Sequence, residues 1–280
     1  MTDIRHVQLP DGTSVPALGQ GTWYMGEYSH QAAAEVRALQ AGIDAGMTLI
    51  DTAEMYAEGG AEEIVGQAIS GRRDEVFLVS KVLPFNASRR GTIAACESSL
   101  YRLGTDYIDL YLLHWRGSYP LAETVQALET LVEQGKIRRW GVSNLDTDDM
   151  LELASVPGGN AVQTDQVLYN LGRRGIEYDL LPWCQARDIA VMAYSPMEQG
   201  RLLDEPALQT VADRHAVSTA AVTLAWVLRH PSVIAIPKTA SLAHLKANLA
   251  CLDLRLTHED LQLLDATFPP PDRKQSLQML

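Results

Sequence analysis

Four predicted strands end in polar side chains. Asp51 ends an apolar–polar alternation over 48–51, and Tyr56 follows five residues later, just outside that strand. Lys81 and His114 end two further apolar stretches, and Ser143-Asn144 ends the next predicted strand. Strand side chains point alternately to the two faces of a sheet, so Asp51, Lys81 and His114 each continue an apolar stripe. A buried ionisable group is costly unless it is paired, so these residues mark a candidate site.

The residue types indicate proton transfer. A buried Lys81 needs an anion, which Asp51 supplies. An ammonium near a tyrosine hydroxyl stabilises the phenolate and lowers the tyrosine pKa, so Tyr56 is expected to act as a general acid. His114 can donate a hydrogen bond to a substrate oxygen or tune Tyr56. Protonating an oxygen while hydride is delivered is carbonyl reduction. No side chain supplies hydride, so a cofactor is implied.

Each of the four residues also has a purely structural interpretation. Asp51 can cap a strand end, Tyr56 can be a surface tyrosine, and the Lys81 ammonium can reach solvent along the protein surface. His114 can be a core histidine with satisfied hydrogen bonds. A chance convergence of all four polar strand ends, Ser143-Asn144 included, at one rim is much less expected, so the functional interpretation depends on elements that bring these ends together.

A strand–loop–helix pattern repeats along the chain and supplies such elements. Predicted strands cover 17–21, 48–51, 76–81, 107–114, 137–144, 161–167, 190–194 and 233–236. Predicted helices cover 32–45, with Ser29 as its cap, 61–70, 90–103, 121–134, 146–155, 177–187, 207–215, 219–230 and 242–252. Eight such units in about 250 residues predict a (β/α)8 TIM barrel, whose strand ends gather at the face where barrel enzymes bind substrates.

The two ends of the chain add to the predicted barrel. Asp11-Gly12 between short runs at 6–9 and 14–18 predicts an N-terminal β-hairpin. A helix start at Thr257 precedes Pro269-Pro270-Pro271, which predicts an extra C-terminal helix that stops there. We therefore expect a single barrel domain over residues 1–280.

Composition limits the partners and the location. The formal net charge of −12 argues against nucleic acid or an anionic membrane as a main partner. Cys96, Cys184 and Cys251 form no C-x-x-C pair and indicate buried free thiols in a reducing compartment. No signal peptide or membrane-length apolar segment is recognised, so we expect a soluble cytoplasmic protein. The absence of a large leftover apolar helix face favours a monomer.

Other classes of site lack their motifs. The histidines other than His114 lack metal-ligand spacing, so no metal site is expected. Gly19-Gln20-Gly21 lacks the third glycine and the strand–helix context of a Rossmann fingerprint. No G-x-S-x-G hydrolase motif or Walker loop is present.

Seven segments, in order along almost the whole chain, resemble the aldo-keto reductase family. They are Asp51-Thr52-Ala53-Glu54-Met55-Tyr56, Ser80-Lys81, Leu112-Leu113-His114-Trp115, Gly135-Lys136-Ile137-Arg138 with Gly141-Val142-Ser143-Asn144, Gln166-Val167-Leu168-Tyr169, Ala193-Tyr194-Ser195-Pro196, and Ile236-Pro237-Lys238-Thr239. The sequence is also similar to bacterial reductases of methylglyoxal and related 2-oxoaldehydes, especially over 19–25 and 175–183.

The resemblance implies roles for individual residues. Asp51, Tyr56, Lys81 and His114 would form the catalytic tetrad. The implied cofactor is NADPH, with the carboxamide held by Ser143, Asn144 and Gln166, and the nicotinamide stacked on Tyr194. The loop that contains Ser195 and Gly200 would lie along the pyrophosphate. Lys238, Thr239 and His244 would contact the 2′-phosphate, and Asn248 would lie near the adenine. Trp23, Tyr24, Phe85 and Trp115 are expected on rim loops, either lining the substrate pocket or packing there.

Three positions depart from the pattern of the family. His244 stands where many relatives carry arginine, and a neutral imidazole grips a phosphate less well than a guanidinium. Ala247 replaces an acidic or amide residue before Asn248. Asp165 stands where an asparagine usually precedes Gln166.

Two other functions remain open from the sequence. A Schiff-base lyase or aldolase could use Lys81 as an amine nucleophile, although pairing with Asp51 would keep Lys81 protonated. A non-catalytic NADPH-binding regulatory subunit is the other alternative. The fold alone does not decide among these functions.

Overall fold

A computed structural model describes residues 4–280 and contains an eight-stranded parallel sheet curled into a barrel. A separate two-stranded hairpin precedes it, formed by β1 (His6–Gln8) and β2 (Ser14–Pro16). The barrel strands are β3 (Gln20–Gly21), β4 (Leu49–Asp51), β5 (Phe77–Val82), β6 (Ile108–Leu113), β7 (Ile137–Ser143), β8 (Thr164–Leu168), β9 (Ala190–Tyr194) and β10 (Val233–Ala235).

Helices alternate with these strands and surround them, as the sequence predicts. They are α1 (Ala32–Asp44), α2 (Gly60–Ile69), α3 (Arg89–Leu103), α4 (Leu121–Glu133), α5 (Thr147–Ser155), α6 (Leu180–Gln185), α7 (Pro206–His215), α8 (Thr219–Val227), α9 (Leu242–Leu249) and α10 (His258–Thr267). The predicted (β/α)8 fold, the N-terminal hairpin and the extra C-terminal helix are confirmed.

The barrel closes where its first strand meets its last. The Gly19 amide donates to the Ala235 carbonyl at 2.9 Å, and the Gly21 amide donates to the Pro237 carbonyl at 3.0 Å. A Cβ atom at position 21 would lie only 2.7 Å from the carbonyl oxygen of Ile236. The Gly-x-Gly pattern therefore allows close backbone approach at the seam of the barrel.

The core has two layers because the side chains of each strand alternate. Leu49, Val79, Leu110 and Met192 belong to the cluster inside the barrel. Their neighbours along the strands point outward and pack with the helices in a second, larger cluster, as Ile50, Leu78, Tyr111 and Val191 do. Residues that continue the inner stripes toward the strand ends therefore point into the barrel mouth.

The hairpin covers the end of the barrel at which the strands begin. Val7, Leu9 and Val15 are buried and pack with the inner cluster. Arg139 of β7 joins the hairpin turn to the barrel, with its Nε 2.8 Å from Asp11 Oδ2. The mouth at the strand C-termini is therefore the end that is left for ligands.

Several predicted element boundaries are wrong. Ser29 does not cap α1, which starts after Gln31 without a side-chain cap. The helix predicted over 177–187 begins only at Leu180, because the Asp179 carboxylate accepts the Leu180 amide at 2.9 Å after a separate turn over Gly175–Glu177. The predicted first strand, 17–21, is reduced to Gln20–Gly21, with Leu18 joined to Ala235 by an isolated bridge.

All three cysteines are buried and unpaired, as predicted. Burial raises the pKa of Cys96 and Cys251 to about 12 and also raises that of Cys184. None of the helices within residues 4–280 is long and apolar enough to cross a membrane.

Candidate active site

The ends of β4 and β5 bring the predicted tetrad together around the Lys81 ammonium. Lys81 is fully buried, and its Nζ lies 2.8 Å from Asp51 Oδ2, 2.9 Å from the Thr52 carbonyl oxygen and 3.1 Å from the Tyr56 hydroxyl. An ammonium has three N–H groups, and these three acceptors use all of them. The lysine is therefore held in one position, with one donor aimed at the phenolic oxygen.

Burial and pairing act against each other at these groups. Burial favours the neutral amine of Lys81, but Asp51 and Tyr56 outweigh it and hold the lysine pKa above its usual value. Burial raises the pKa of Tyr56 and the Asp51 charge adds to this, and together they outweigh the Lys81 ammonium, which lowers it. Lys81 thus acts in the predicted direction, but the expected net lowering of the Tyr56 pKa is wrong because burial is the largest effect. Tyr56 holds its proton at neutral pH, as a proton donor must.

His114 follows directly after β6 and completes the tetrad. Its ring lies edge-on to the Tyr56 ring, with 5.8 Å between centroids. Burial, and then the charge on Lys81, lower the His114 pKa well below its usual value, so the imidazole is neutral. Its Nδ1 is buried without a hydrogen-bond partner among the described residues. A neutral imidazole in this position can donate a hydrogen bond from one ring nitrogen.

A second polar group lies beside the tetrad at the ends of β7 and β8. The Ser143 hydroxyl donates to the backbone carbonyl oxygen of Gln166 at 2.7 Å, and the backbone N–H of Asn144 donates to the same oxygen at 2.9 Å. Asn144 Nδ2 contacts the His114 carbonyl at 3.1 Å, and its Oδ1 accepts from the Tyr194 hydroxyl at 3.0 Å. The residues that the family resemblance assigns to the carboxamide of the nicotinamide therefore form one network with Tyr194.

Gln166 links this network to the tetrad. Its Nε2 donates to Asp51 Oδ1 at 2.7 Å and contacts the Met192 sulfur at 2.9 Å. Both Asp51 oxygens are thus engaged, one by Lys81 and one by Gln166. Because both hydrogens of the Gln166 amide are directed at these partners, its Oε1 is the atom that remains to accept a hydrogen bond from a ligand.

Two cavities open at the mouth and share Trp23, Tyr56 and Tyr194. The inner cavity, of about 190 Å³, is also lined by Met55, His114, Trp115, Ser143, Asn144, Gln166, Met279 and Leu280. The outer cavity, of about 470 Å³, runs toward the end of β10; besides Asp51 and the shared residues, its lining includes Gly21, Thr22, Tyr24, Ser195, Gly200, Ile236, Pro237, Lys238 and His244. Together they form one extended cleft.

The outer cavity gathers most of the residues predicted to meet the phosphates. Lys238 and His244 supply its basic groups, next to the start of α9. Thr239 lines neither cavity; its Oγ1 accepts the Ser241 amide at 3.0 Å and so shapes the turn that begins α9. Asn248 also lies away from both cavity walls, but its buried Nδ2 has no hydrogen-bond partner among the described residues.

The predicted aromatic residues separate into two groups. Trp23 and Tyr24 stack with 4.5 Å between ring centroids and line the outer cavity, while Trp115 lines the inner one. Phe85 lies on the turn Pro84–Asn86, is 79% exposed and lines neither cavity. The placement of Phe85 thus gives its predicted substrate role no support.

Sequence reasoning missed the contribution of the tail to the inner cavity. Met279 and Leu280 line it from residues that follow the proline run. Lys274 fastens this tail, with its Nζ 2.9 Å from Asp148 and 3.5 Å from Asp179. The tail has no periodic pattern, so the sequence carried no signal for its course. Within residues 4–280, no group of three or more His, Cys, Asp or Glu side chains is arranged to hold a metal ion.

Comparison with known proteins identifies the family. The model of the aldo/keto reductase family matches residues 17–268. The chain belongs to the aldo/keto reductase family. This aldo/keto reductase is 57% identical over 279 residues to the methylglyoxal reductase YeaE of Escherichia coli K12, with 98% of each chain covered. It is 37% identical over 263 residues to the glyoxal reductase of Bacillus subtilis 168, with 93% of this chain and 91% of the relative covered.

Solved structures of other aldo/keto reductases have the same fold. The crystal structure of an aldo/keto reductase from Klebsiella pneumoniae, in complex with NADP and acetate, is 55% identical and superimposes with a TM-score of 0.97. The alignment covers 99% of this chain and 100% of that one. The architecture of this aldo/keto reductase is therefore shared along nearly its whole length with a relative crystallised with a nicotinamide dinucleotide.

Proposed function

We propose that this aldo/keto reductase reduces small aldehydes and 2-oxoaldehydes to alcohols with NADPH, Tyr56 giving the proton. The observation that carries the proposal is the Tyr56 hydroxyl held 3.1 Å from a fully buried ammonium at one end of an extended cleft. Two relatives named as reductases of methylglyoxal and glyoxal support the substrate class. A relative crystallised with NADP supports the cofactor.

The residues of the cleft fit an extended dinucleotide phosphate. Ser143, Asn144 and the free Gln166 Oε1 offer donors and acceptors for the carboxamide, and Tyr194 offers a ring face for the nicotinamide. Ser195 and Gly200 line the middle of the cleft, where the pyrophosphate would pass. Lys238 and His244 would hold the 2′-phosphate at its outer end, where Thr239 shapes the adjoining turn. Asn248 lines neither cavity; its place near the adenine rests on the family resemblance, together with a buried side-chain amide that has no partner among the described residues. When bound, the cofactor supplies hydride.

The residues of the tetrad then transfer a proton to the substrate oxygen. A carbonyl oxygen in the inner cavity accepts a hydrogen bond from the neutral His114 and from the Tyr56 hydroxyl. As negative charge develops on that oxygen, Tyr56 transfers its proton to it. The Lys81 ammonium stabilises the resulting phenolate, and Asp51 keeps Lys81 charged and oriented. Trp23, Tyr24 and Trp115 would surround the rest of a small substrate.

The two alternative functions have less support. A Schiff base requires a neutral amine, but the three donors of Lys81 are all engaged and its pKa is raised. A purely regulatory NADPH-binding subunit would not need a buried ion pair aimed at a tyrosine hydroxyl, because that pair is costly to bury and serves proton transfer.

The test removes the transferred proton alone. A Tyr56→Phe variant should lose turnover of methylglyoxal by about 10²–10⁴-fold, the size of a general acid contribution, while the dissociation constant of NADPH changes little. Turnover is followed by NADPH oxidation and binding by fluorescence titration. Tyr101→Phe is the matched control, because Tyr101 is 88% exposed on α3 and away from the cleft. Retained turnover in Tyr56→Phe would contradict the role of Tyr56.

The assembly and location are part of the same proposal. We infer that the protein works as a monomer in the cytoplasm, without nucleic acid as a partner. The three unpaired thiols and the net charge of −12 support the compartment and the lack of nucleic-acid binding. Light scattering coupled to size-exclusion chromatography tests the monomer, with a mass of twice 30.7 kDa contradicting it.

A further inference from the structure

A buried glutamate lies behind the loop that lines the outer cavity. This loop covers residues 195–200, directly after β9, and every one of them except Glu198 lines the cavity where the pyrophosphate would pass. The Glu198 side chain is only 7% exposed and contacts the turn that follows β8. Its carboxylate therefore acts on the loop from behind the cavity wall, and the proton transfer described above does not use it.

The turn over residues 170–173 grips the loop at two points. Glu198 Oε2 accepts a hydrogen bond from Asn170 Nδ2 at 2.9 Å, and its Oε1 accepts from Arg173 Nη2 at 2.9 Å and Nε at 3.2 Å. Asn170 Nδ2 also donates to the backbone carbonyl oxygen of Ser195 at 2.9 Å. Since this turn directly follows the strand β8, these contacts tie the loop to the barrel itself.

The backbone of the loop needs such support. Three residues that are not glycine, Ser195, Glu198 and Gln199, have left-handed φ angles of 44°, 49° and 57°. Residues with a side chain rarely adopt this conformation, and it persists only where surrounding contacts impose it. Because two of these three residues are the ones bound by Asn170, the turn is placed to impose this shape on the loop.

The charges at Glu198 are balanced by two arginines. Burial alone would raise the pKa of Glu198, but hydrogen bonds from Arg173 and Asn170 hold it below its usual value, so the carboxylate is ionised at neutral pH. Arg201 reaches the same oxygen as Arg173, at 3.2 Å, but its side chain is 56% exposed and belongs to the same segment. The contact that joins separate elements is therefore the one with Arg173 and Asn170.

We propose that Glu198 is a positioning residue for the cofactor: its contacts with Asn170 and Arg173 hold the loop over 195–200 in the shape that receives the pyrophosphate. This inference rests on the proposed function, because it assumes that the loop meets a dinucleotide. Glu198 lines neither cavity, so its loss weakens cofactor binding without removing a group that takes part in proton transfer. NADPH and NADH carry the same pyrophosphate, so both are affected equally, whereas a residue that binds the 2′-phosphate affects NADPH alone.

The experiment measures the dissociation constants of NADPH and NADH by fluorescence titration of the full-length protein. Glu198→Ala should raise both constants by about tenfold, the effect of losing charge-assisted hydrogen bonds that preorganise a site. Its kcat with methylglyoxal at saturating NADPH should not fall. Glu198→Gln keeps an acceptor for Asn170 but loses the charge, so it should bind with intermediate affinity. Asp204→Asn is the matched control, because it removes an exposed carboxylate just beyond the loop.

A variant of the partner tests the contact itself. Arg173→Met should also weaken the binding of both cofactors, and combining it with Glu198→Ala should add little, because the two residues share one contact. Should circular dichroism show that Glu198→Ala is unfolded, Glu198→Gln and Arg173→Met carry the same comparison.

Three results would overturn the proposal: unchanged affinity for both cofactors, a loss confined to NADPH, or a fall in kcat at saturating NADPH as large as the loss of affinity. The last result would show a general distortion of the barrel. Failure of the wild type to bind either cofactor would instead overturn the proposed function.

Discussion

At the scale of single residues, one substitution can strengthen the binding of the proposed 2′-phosphate. His244 lines the outer cavity together with Lys238. A His244→Arg variant should bind NADPH about tenfold more tightly, because a forked guanidinium adds charge-assisted hydrogen bonds worth about 1–2 kcal/mol. Fluorescence titration measures this change, and NADH, which lacks the phosphate, serves as the control ligand. An equal gain for NADH would show that residue 244 does not meet the phosphate.

Other residues of the site differ in how far the sequence predicts them. Asp51, Lys81 and His114 could be predicted because a polar residue ending an apolar stripe is rare and period-two alternation fixes its face. The net pKa of Tyr56 could not be predicted, because it depends on how fully the mouth buries the phenol. The exposure of Phe85 could not be predicted either, because the direction of a side chain on a rim loop depends on the conformation of that loop.

At the scale of elements, local capping signals could be predicted where they are complete. The start of α10 follows a capping box in which Thr257 accepts the Asp260 amide and the Asp260 carboxylate accepts the Thr257 amide at 2.8 Å. Ser29 failed as a cap because α1 starts two residues later, after a turn in which the Gln31 amide donates to the Tyr28 carbonyl. A lone serine is thus a weaker signal than a reciprocal pair.

Asp260 also joins α10 to the end of α7. It is fully buried and binds Arg214 and His215, the latter at 2.7 Å. An Asp260→Ala variant should lose about 2 kcal/mol of unfolding free energy, because a cap and charged hydrogen bonds disappear together. Urea denaturation measures the loss, and Glu259→Gln, at an exposed neighbour, is the control.

The same carboxylate predicts a pH dependence of known sign. Although burial opposes it, hydrogen bonding to His215, Thr257 and Arg214 lowers the Asp260 pKa to about 2. A lowered pKa in the folded state gives stability that is present above the unfolded-state value, about 3.9, and lost as the pH falls toward about 2. The difference in unfolding free energy between wild type and Asp260→Ala should therefore shrink below about pH 4. A constant difference would contradict this assignment.

At the scale of the whole molecule, the sequence predicts the barrel because eight strand–helix units admit few other arrangements. The course of the tail over the mouth could not be predicted, since it follows no periodic pattern and depends on ion pairs between distant residues such as Lys274 and Asp148. We propose that residues 1–280 act as one barrel domain. The N-terminal hairpin at one end of the barrel and the C-terminal tail at its mouth both pack against that single barrel.

The seam of the barrel tests how tightly the whole sheet closes. Gly21→Ala would place a Cβ atom 2.7 Å from the Ile236 carbonyl oxygen, which belongs to backbone and cannot move aside cheaply. We expect a loss of about 1–3 kcal/mol in unfolding free energy, as for other overpacked sites, together with weaker NADPH binding because Gly21 lines the outer cavity. Gly175→Ala is the control, since its Cβ would meet only the Gln275 side chain, at 3.4 Å. Equal stability of the two variants would contradict a tight seam.

The burial of the three thiols has a consequence for an enzyme of the proposed function. 2-Oxoaldehydes are electrophiles that add to exposed thiolates, and the thiolate rather than the thiol is the reactive form. Cys96, Cys184 and Cys251 are all buried, and their raised pKa values leave almost no thiolate at neutral pH. The cysteines of the barrel thus resist addition to the carbonyl compounds that the enzyme is proposed to reduce, and catalysis can continue while such a compound is abundant.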